Sequence, residues 1–395
     1  MVAFAPQLER LTAFPFRRLA ALLADVRPPA GLEPVDLALG EPQDPPPALL
    51  ARTVADHAHL WNRYPPPQGT PEFRRACVDW LVRRYRLPEG LLDPERHVLP
   101  LCGTKEGLFL AAALVAGRPE RPLALLPDPL YGVYYGAALT FGLEPRFLPA
   151  TAASGFLPDL DVLDAATLAR TAVLYVCTPY NPTGAVADRA WLRRVLRLAH
   201  EHGFLLIVDE CYAEIYDAEP PPGALEVAAE EPGGLRHLLV FHSLSKRSSV
   251  PGLRSGFACG DPEAIARFLH LRAYGGAVQP LPLMAAATAL WRDEAHVAET
   301  RERYRQRFAV AERILGGRFG FRRPPGGFFL WLDVQDGERA AVRLWREAAI
   351  RVLPGAYLGA GPAAESPARR YVRLAMVHDV DVTARALERF VAVLG

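Results

Sequence analysis

Phe204-Leu-Leu-Ile-Val-Asp-Glu-Cys-Tyr212 decides the architecture of this chain. Phe204 to Val208 is apolar at every position, so the segment has no face to give to water. It reads as a strand covered on both sides, the habit of parallel sheets sandwiched between helices. The run stops at Asp209, and Tyr212 follows three residues later. A carboxylate at the tip of a buried strand is costly unless a cation meets it. An arginine partner, the cap of a following helix or a cationic ligand would each satisfy Asp209.

The same pattern repeats on either side. Buried-strand candidates are His97–Cys102, Leu123–Leu126, Pro145–Leu148, Ala172–Cys177, Leu238–His242 and Gly256–Gly260. Helical patterns at Thr104–Ala116, Asp188–His202 and Pro262–Ala273 lie between several of them. The alternation predicts an α/β domain with a mainly parallel mixed sheet flanked by helices. Ligands of such sheets bind outside the carboxyl ends of the strands. Beyond about residue 285 the pattern changes to a long helical stretch (285–315), Gly326–Leu332, a helix near 338–349, and Val352–Pro354. The expected division is a large domain over 46–284, a smaller α+β domain over 285–395, and an N-terminal segment, 1–45, that joins the small domain. Proline clusters at 45–47, 65–67 and 220–222 read as loops and rigid connectors.

Composition bounds the function. The 395 residues carry a formal net charge of +1, which offers no general attraction to nucleic acid or to an anionic membrane. Five scattered cysteines without a C-x-x-C pair argue against a disulfide framework or a zinc site and fit a reducing compartment. The longest apolar run, Leu108 to Ala116, is too short to cross a bilayer. Glu9, Arg10, Arg17 and Arg18 interrupt the apolar N-terminus, so it lacks a secretory layout. A cytoplasmic enzyme acting on small molecules is the expectation.

Of the 45 basic residues only Lys105 and Lys246 are lysines; the other 43 are arginines. Lysine can lose its proton and attack a carbonyl to form an imine, which arginine cannot. Lys246 is therefore a candidate Schiff-base lysine, unless both lysines are accidental survivors of a codon bias. It sits in Ser243-Leu-Ser-Lys-Arg-Ser-Ser-Val-Pro-Gly-Leu-Arg254, where Ser243, Ser245 and Arg254 could clamp a phosphate beside the amine. Gly103-Thr-Lys-Glu-Gly107 follows a strand and opens a helix, which makes either a phosphate seat or an ordinary turn and cap. Tyr131, after another strand, could stack on a flat ring or belong to the core. Asn181, fixed between two prolines in Thr178-Pro-Tyr-Asn-Pro-Thr-Gly184, has a restricted backbone that suits a binding residue or a rigid turn.

Together these motifs resemble the class I/II aminotransferases that depend on pyridoxal phosphate and have fold type I. The resemblance runs from Leu39-Gly-Glu-Pro42 to Arg373-Leu-Ala375 and includes Tyr64-Pro-Pro-Pro-Gln-Gly69 and Asp209-Glu-Cys-Tyr212. The intervals also match: 28 residues from Asn181 to Asp209, 37 from Asp209 to Lys246, and 8 from Lys246 to Arg254. The resemblance implies that Lys246 holds the cofactor and moves the substrate proton, and that Asp209 faces the pyridine nitrogen. Asn181 and Tyr212 would bond the phenolic oxygen, Tyr131 would stack on the ring, and Gly103, Thr104, Lys105, Ser243, Ser245 and Arg254 would cradle the cofactor. Arg373 would take the substrate carboxylate, with Gly40 and Asn181 lining the same pocket, where a side chain on Gly40 would crowd the substrate. Tyr64 would reach the phosphate of a neighbouring subunit, which implies a homodimer with shared sites.

The block Ser243–Phe257, Asp293-Glu-Ala-His-Val297 and Gly327-Phe-Phe-Leu-Trp331 resemble the succinyldiaminopimelate aminotransferases of bacterial lysine biosynthesis in particular. In those relatives position 249 is more often asparagine, and Arg272–Val278 departs from their commoner form. The implied reaction moves an amino group between N-succinyl-LL-2,6-diaminopimelate and 2-oxoglutarate. An aromatic, kynurenine, alanine or aspartate aminotransferase is the alternative, a β-lyase a further one. A regulator using this domain as an effector sensor would need a DNA-binding module before Gly40.

Overall fold

The apolar runs pair as the alternation requires. In the computed structural model, which describes residues 2, 4–11, 13–359 and 366–395, the strands are β1 (Val35–Asp36), β2 (Val98–Leu101), β3 (Leu123–Asp128), β4 (Glu144–Pro149), β5 (Thr171–Cys177), β6 (Leu205–Asp209), β7 (Leu238–Ser243), β8 (Gly256–Gly260), β9 (Phe329–Asp333), β10 (Ile350–Arg351), β11 (Leu353–Pro354) and β12 (Tyr371–Ala375). Seven of them form one mixed sheet in the order β2-β8-β7-β6-β5-β3-β4. Only β8 runs against its neighbours; every other adjacent pair is parallel.

This register gathers distant motifs at one edge. Cys177 pairs with Asp209 and Asp209 with Phe241, so the carboxyl ends of β5, β6 and β7 lie side by side. The reversed β8 begins where the others end: Gly256 pairs with Ser243 on one side and with Leu101 on the other. Arg254, just before β8, and Gly103, just after β2, therefore arrive beside Ser243 and Asp209.

Both faces of the sheet are covered. Leu206 and Val208 of β6 pack into one core with Trp80, Leu196 and Trp291, whereas Leu205 and Ile207 pack into the opposite one with Leu108, Tyr134 and Phe268. The alternation is the period-two pleat of a strand buried on both sides. Helix Arg189–His202 is capped by Asp188, whose carboxylate accepts from Trp191 N at 2.7 Å.

The small domain is a three-stranded antiparallel sheet, β11-β12-β9, packed with helices Ala295–Leu315, Gly337–Ala348 and Val380–Leu394. The N-terminal segment joins its core through Leu19, Leu23, Val35 and Leu37, and β1 pairs in parallel with β10. The helical stretch expected over 285–315 is two helices, Leu281–Arg292 and Ala295–Leu315, broken at Asp293–Glu294. The Asp293 carboxylate accepts from His296 N at 3.2 Å and so starts the second helix. Trp291 belongs to a large-domain core and Tyr304 to the small-domain core. We propose that the domains divide at this break, a few residues beyond 284. Among the described residues no helix is long and apolar enough to cross a membrane, and no group of three or more His, Cys, Asp or Glu side chains could hold a metal ion.

Candidate active site

A cavity of about 550 Å³ opens at the carboxyl edge of the large sheet, against the small domain. Gly40, Thr104, Lys105, Tyr131, Asn181, Asp209, Tyr212, Ser243, Ser245, Lys246, Arg254 and Arg373 all line it. Gly103 lies behind this lining, packed against the Arg254 guanidinium. Of the residues singled out from sequence, Tyr64 stands away from the cavity in this chain, with its side chain fully exposed.

Lys246 lies on a single helical turn, Leu244–Arg247, after β7. Its Nζ donates to Gly40 O at 2.6 Å and sits 5.2 Å from the centroid of the Phe328 ring. Burial, helped by the nearby Arg373 and Arg254 cations, lowers its pKa from 10.5 to about 8. Gly40 has no room for a side chain for a reason of packing: a Cβ there would stand 2.7 Å from Phe329 Cζ.

Asp209 is buried at the tip of β6. Tyr134 O–H donates to its Oδ2 at 2.7 Å and Cys211 N to its Oδ1 at 3.2 Å. Burial nevertheless outweighs these bonds and raises its pKa. The carboxyl is thus desolvated and faces a cavity that could hold a cation. Arg373, 4 % exposed, donates from Nη1 to Asn181 Oδ1 at 2.9 Å and from Nη2 to Ala38 O at 2.8 Å. Its guanidinium lies 4.2 Å from the centroid of the Phe329 ring, and burial brings its pKa down to about 10. Tyr212 packs edge-on against Phe328 and Phe329, and burial pushes its hydroxyl pKa up.

The opposite wall is suited to an anion. Gly103 adopts φ 76°, ψ 153°, a region essentially closed to other residues, and a Cβ there would stand 2.1 Å from Arg254 Nη2. Arg254 itself has φ 55° and is held by Gln279, whose Nε2 donates to Leu253 O at 3.1 Å and to Arg254 O at 3.2 Å. Ser243 Oγ donates to Ser245 Oγ at 3.0 Å and accepts from Ser245 N at 3.1 Å. Thr104 Oγ1 lies 3.0 Å from Cys211 Sγ. Lys105 projects to the mouth, its Nζ 5.2 Å from the centroid of the Phe14 ring.

Sequence reasoning missed Tyr134 and Gln279. Tyr134 stands three places after Tyr131, hence on the same side of helix Gly132–Thr140, and that spacing was the available signal. Gln279 carried none, because its work is done on the backbone of a residue 25 positions away.

Comparison with known proteins places this geometry in context. A family model described as aminotransferase class I and II matches residues 33–390. LL-diaminopimelate aminotransferase of Desulforudis audaxviator is 32% identical over 400 residues, covering 99% of this chain and 98% of that protein. Among solved structures, an aminotransferase from Neisseria meningitidis superposes with a TM-score of 0.94 at 37% identity, covering 99% of this chain and 100% of that one. A probable N-succinyldiaminopimelate aminotransferase from Thermus thermophilus gives 0.85 at 26% identity, covering 96% and 100%.

Proposed function

Because the chain belongs to the class I and II aminotransferases, a pyridoxal-phosphate-dependent family, we propose that its amino donor is a diaminopimelate derivative and its acceptor 2-oxoglutarate. The observation that carries the catalytic part of this reading is the convergence of Lys246, Asp209, Arg254 and Arg373 on one cavity.

The residues present fit the cofactor. Arg254, Ser243, Ser245 and Thr104 surround a seat that only glycine at 103 leaves open, which suits the phosphate. The desolvated Asp209 carboxyl suits a protonated ring nitrogen, and a cation there would pull its raised pKa back down. When bound, the cofactor draws off the electron pair left at the substrate Cα as its proton departs. Lys246 would hold the cofactor, and its free amine would take the substrate Cα proton at Nζ. With a pKa of about 8, roughly one amine in ten is unprotonated at neutral pH, which is enough for general-base work. Arg373 presents Nη1 and Nη2 side by side to the α-carboxylate, so that the Cα–H bond is oriented by a two-point grip. Asn181 accepts from Arg373 through Oδ1, so its amide N–H groups remain to donate to the ring's phenolic oxygen.

The donor is proposed as N-succinyl-LL-2,6-diaminopimelate, a step of lysine biosynthesis. Phe14, Phe16, Leu39 and Leu358 give the cavity mouth an apolar wall for a long arm, with Lys105 to meet a distal carboxylate. A second reading, free LL-diaminopimelate, is favoured by the names of three relatives that are 30–32% identical. It also suits Glu41, which lines the mouth and would attract the distal ammonium that succinylation removes. Initial rates with both donors and with phenylalanine decide. A preference of about tenfold or more for the succinylated donor is expected. The reverse ratio selects the free donor, and turnover of phenylalanine alone refutes both.

The site is proposed to be completed in a homodimer, with Tyr64 reaching the neighbouring cofactor phosphate. Tyr64 is fully exposed and Tyr274 is 86 % exposed. Their segments adjoin at Pro100, where a Cβ on Gly69 would lie 2.4 Å from Pro100 Cγ and Arg272 donates to Pro100 O at 2.6 Å. Mixed dimers of Tyr64→Phe and Lys246→Ala subunits should alter each other's cofactor affinity, and independence would refute sharing.

A further inference from the structure

Ser248 and His296 are 48 residues apart in sequence and touch in the fold. His296 Nε2 lies 2.8 Å from Ser248 Oγ, and His296 Nδ1 lies 2.5 Å from Asp293 Oδ2. An ionised carboxylate can only accept, so Nδ1 carries the hydrogen and Nε2 accepts from the Ser248 hydroxyl. An Asp–His–Ser chain of this kind could activate a nucleophile, but Ser248 is completely buried, so no substrate reaches its oxygen. The chain holds something in place instead.

Arg247, 2 % exposed, extends it. Its Nη1 donates to Leu290 O at 2.8 Å, and its Nη2 donates to Asp293 O at 3.2 Å and to Glu294 Oε1 at 2.8 Å. The guanidinium also lies 5.0 Å from the centroid of the Trp291 ring. Every group that Arg247 and Ser248 grip through these contacts falls between Leu290 and His296. That stretch is the break between two helices, one rooted in the large-domain core and the other in the small-domain core.

Lys246 directly precedes Arg247 on the same helical turn, and Ser248 N closes that turn on Leu244 O at 3.0 Å. The far end of Lys246 meets Gly40 O, on the segment that follows Leu37 and Ala38 out of the small-domain core. The lysine is thus held at its root against the domain joint and at its tip against the segment that leaves the small-domain core.

We propose that Ser248, His296 and Asp293, with Arg247 and Glu294, are positioning residues for Lys246, fixing the turn that bears the amine to the joint between the domains. The proposal rests on the reading of Lys246 as the reacting amine. Without the Ser248–His296 bond the turn can shift and twist, and a four-carbon stem carries that motion to Nζ, where proton transfer demands alignment.

The test compares the holoenzyme with Ser248→Ala, His296→Ala, His296→Gln and Lys246→Ala variants. One neutral hydrogen bond supports a factor of about two to ten. In Ser248→Ala and His296→Ala, kcat should fall by that factor while the donor KM stays within about twofold. The pH midpoint of the bound-cofactor absorbance should move by about half a unit. Glutamine at 296 keeps an acceptor for the Ser248 hydroxyl and should recover most of both effects. If His296→Ala does not fold, Ser248→Ala, which loses a single oxygen, carries the test. Parent-like kcat and midpoint in folded Ser248→Ala overturn the proposal, as does a kcat loss that His296→Gln leaves uncorrected. Lys246→Ala isolates the premise: if it turns over, the reading of Lys246 fails. If it is inactive while Ser248→Ala matches the parent, only the positioning role fails.

Discussion

Replacing Tyr134 by phenylalanine removes one oxygen and tests what sets the charge of Asp209. The hydroxyl donates to Asp209 Oδ2 at 2.7 Å, with Tyr134 0 % and Asp209 5 % exposed. Phenylalanine keeps the ring stacked on Tyr175, with centroids 4.8 Å apart and planes at 20°, so packing is retained. A hydrogen bond to a charged group contributes about 1.5–3 kcal/mol, most of it while the acceptor is ionised. Its loss should raise the Asp209 pKa further, in the direction burial already pushes it. A protonated Asp209 cannot hold a proton on the ring nitrogen. Affinity of the apoprotein for pyridoxal phosphate should therefore fall about ten- to a hundredfold at neutral pH.

The assay is a titration of apoprotein with the cofactor, followed by absorbance at several pH values, with circular dichroism as the control for folding. Ionisation is restored as pH rises past the raised pKa, so the deficit should shrink toward alkaline pH. A folded Tyr134→Phe protein that binds within about twofold of the parent at every pH would refute the reasoning. It would reduce Tyr134 to a strut in the core.

Three further outcomes follow from the same geometry. Labelling of Lys246 in the apoprotein by an amine-reactive reagent, read by peptide mapping, should have its midpoint near pH 8, because burial disfavours the ammonium; a midpoint at the ordinary value of about 10.4 refutes the lowered pKa. Gly103→Ala should cost about 1–3 kcal/mol in urea unfolding and weaken cofactor binding, since its φ of 76° with ψ of 153° is essentially reserved for glycine and Arg254 occupies the space of a Cβ; unchanged unfolding and binding would contradict both. Ser249→Asn should stabilise the apoprotein by about 0.5 kcal/mol, because position 249 has a φ of 53°, which asparagine tolerates better; an unchanged or lowered urea midpoint would refute this.

That last position shows what one sequence can and cannot disclose. Ser249 was legible as a departure from the resemblance and opaque as to cause, because a single left-handed residue leaves no periodic trace. The strands were legible because fully apolar runs such as Phe204–Val208 stop at polar tips. Lys246, Asp209 and Asn181 were legible because each sits at such a tip or one turn beyond it. Tyr134, Gln279 and the Ser248–His296 contact were not. Each acts on a residue 25 to 75 positions away, and only tertiary structure sets that distance. The break at Asp293 was hidden by helical propensity on both sides, which runs on smoothly where Arg247 and the cap on His296 interrupt it.

The reversal of β8 explains why Arg254, Ser243 and Gly103 come together as the motifs suggested. Were β8 parallel to β7, its first residue would lie at the far edge of the sheet, and Arg254 would be a sheet length away from Gly103. Antiparallel pairing of Ser243 with Gly256 and of Leu101 with Gly256 forces the loops before β8 and after β2 to the same edge. The connection between Ser243 and Gly256 favours this, since a parallel crossover usually returns along the sheet through a helix and this one holds only the single turns Leu244–Arg247 and Pro251–Leu253. Lys246 and Arg254 share that connection, so the distance between the amine and the guanidinium is set by local chain geometry. The distance from either of them to Arg373 depends on how the two domains meet.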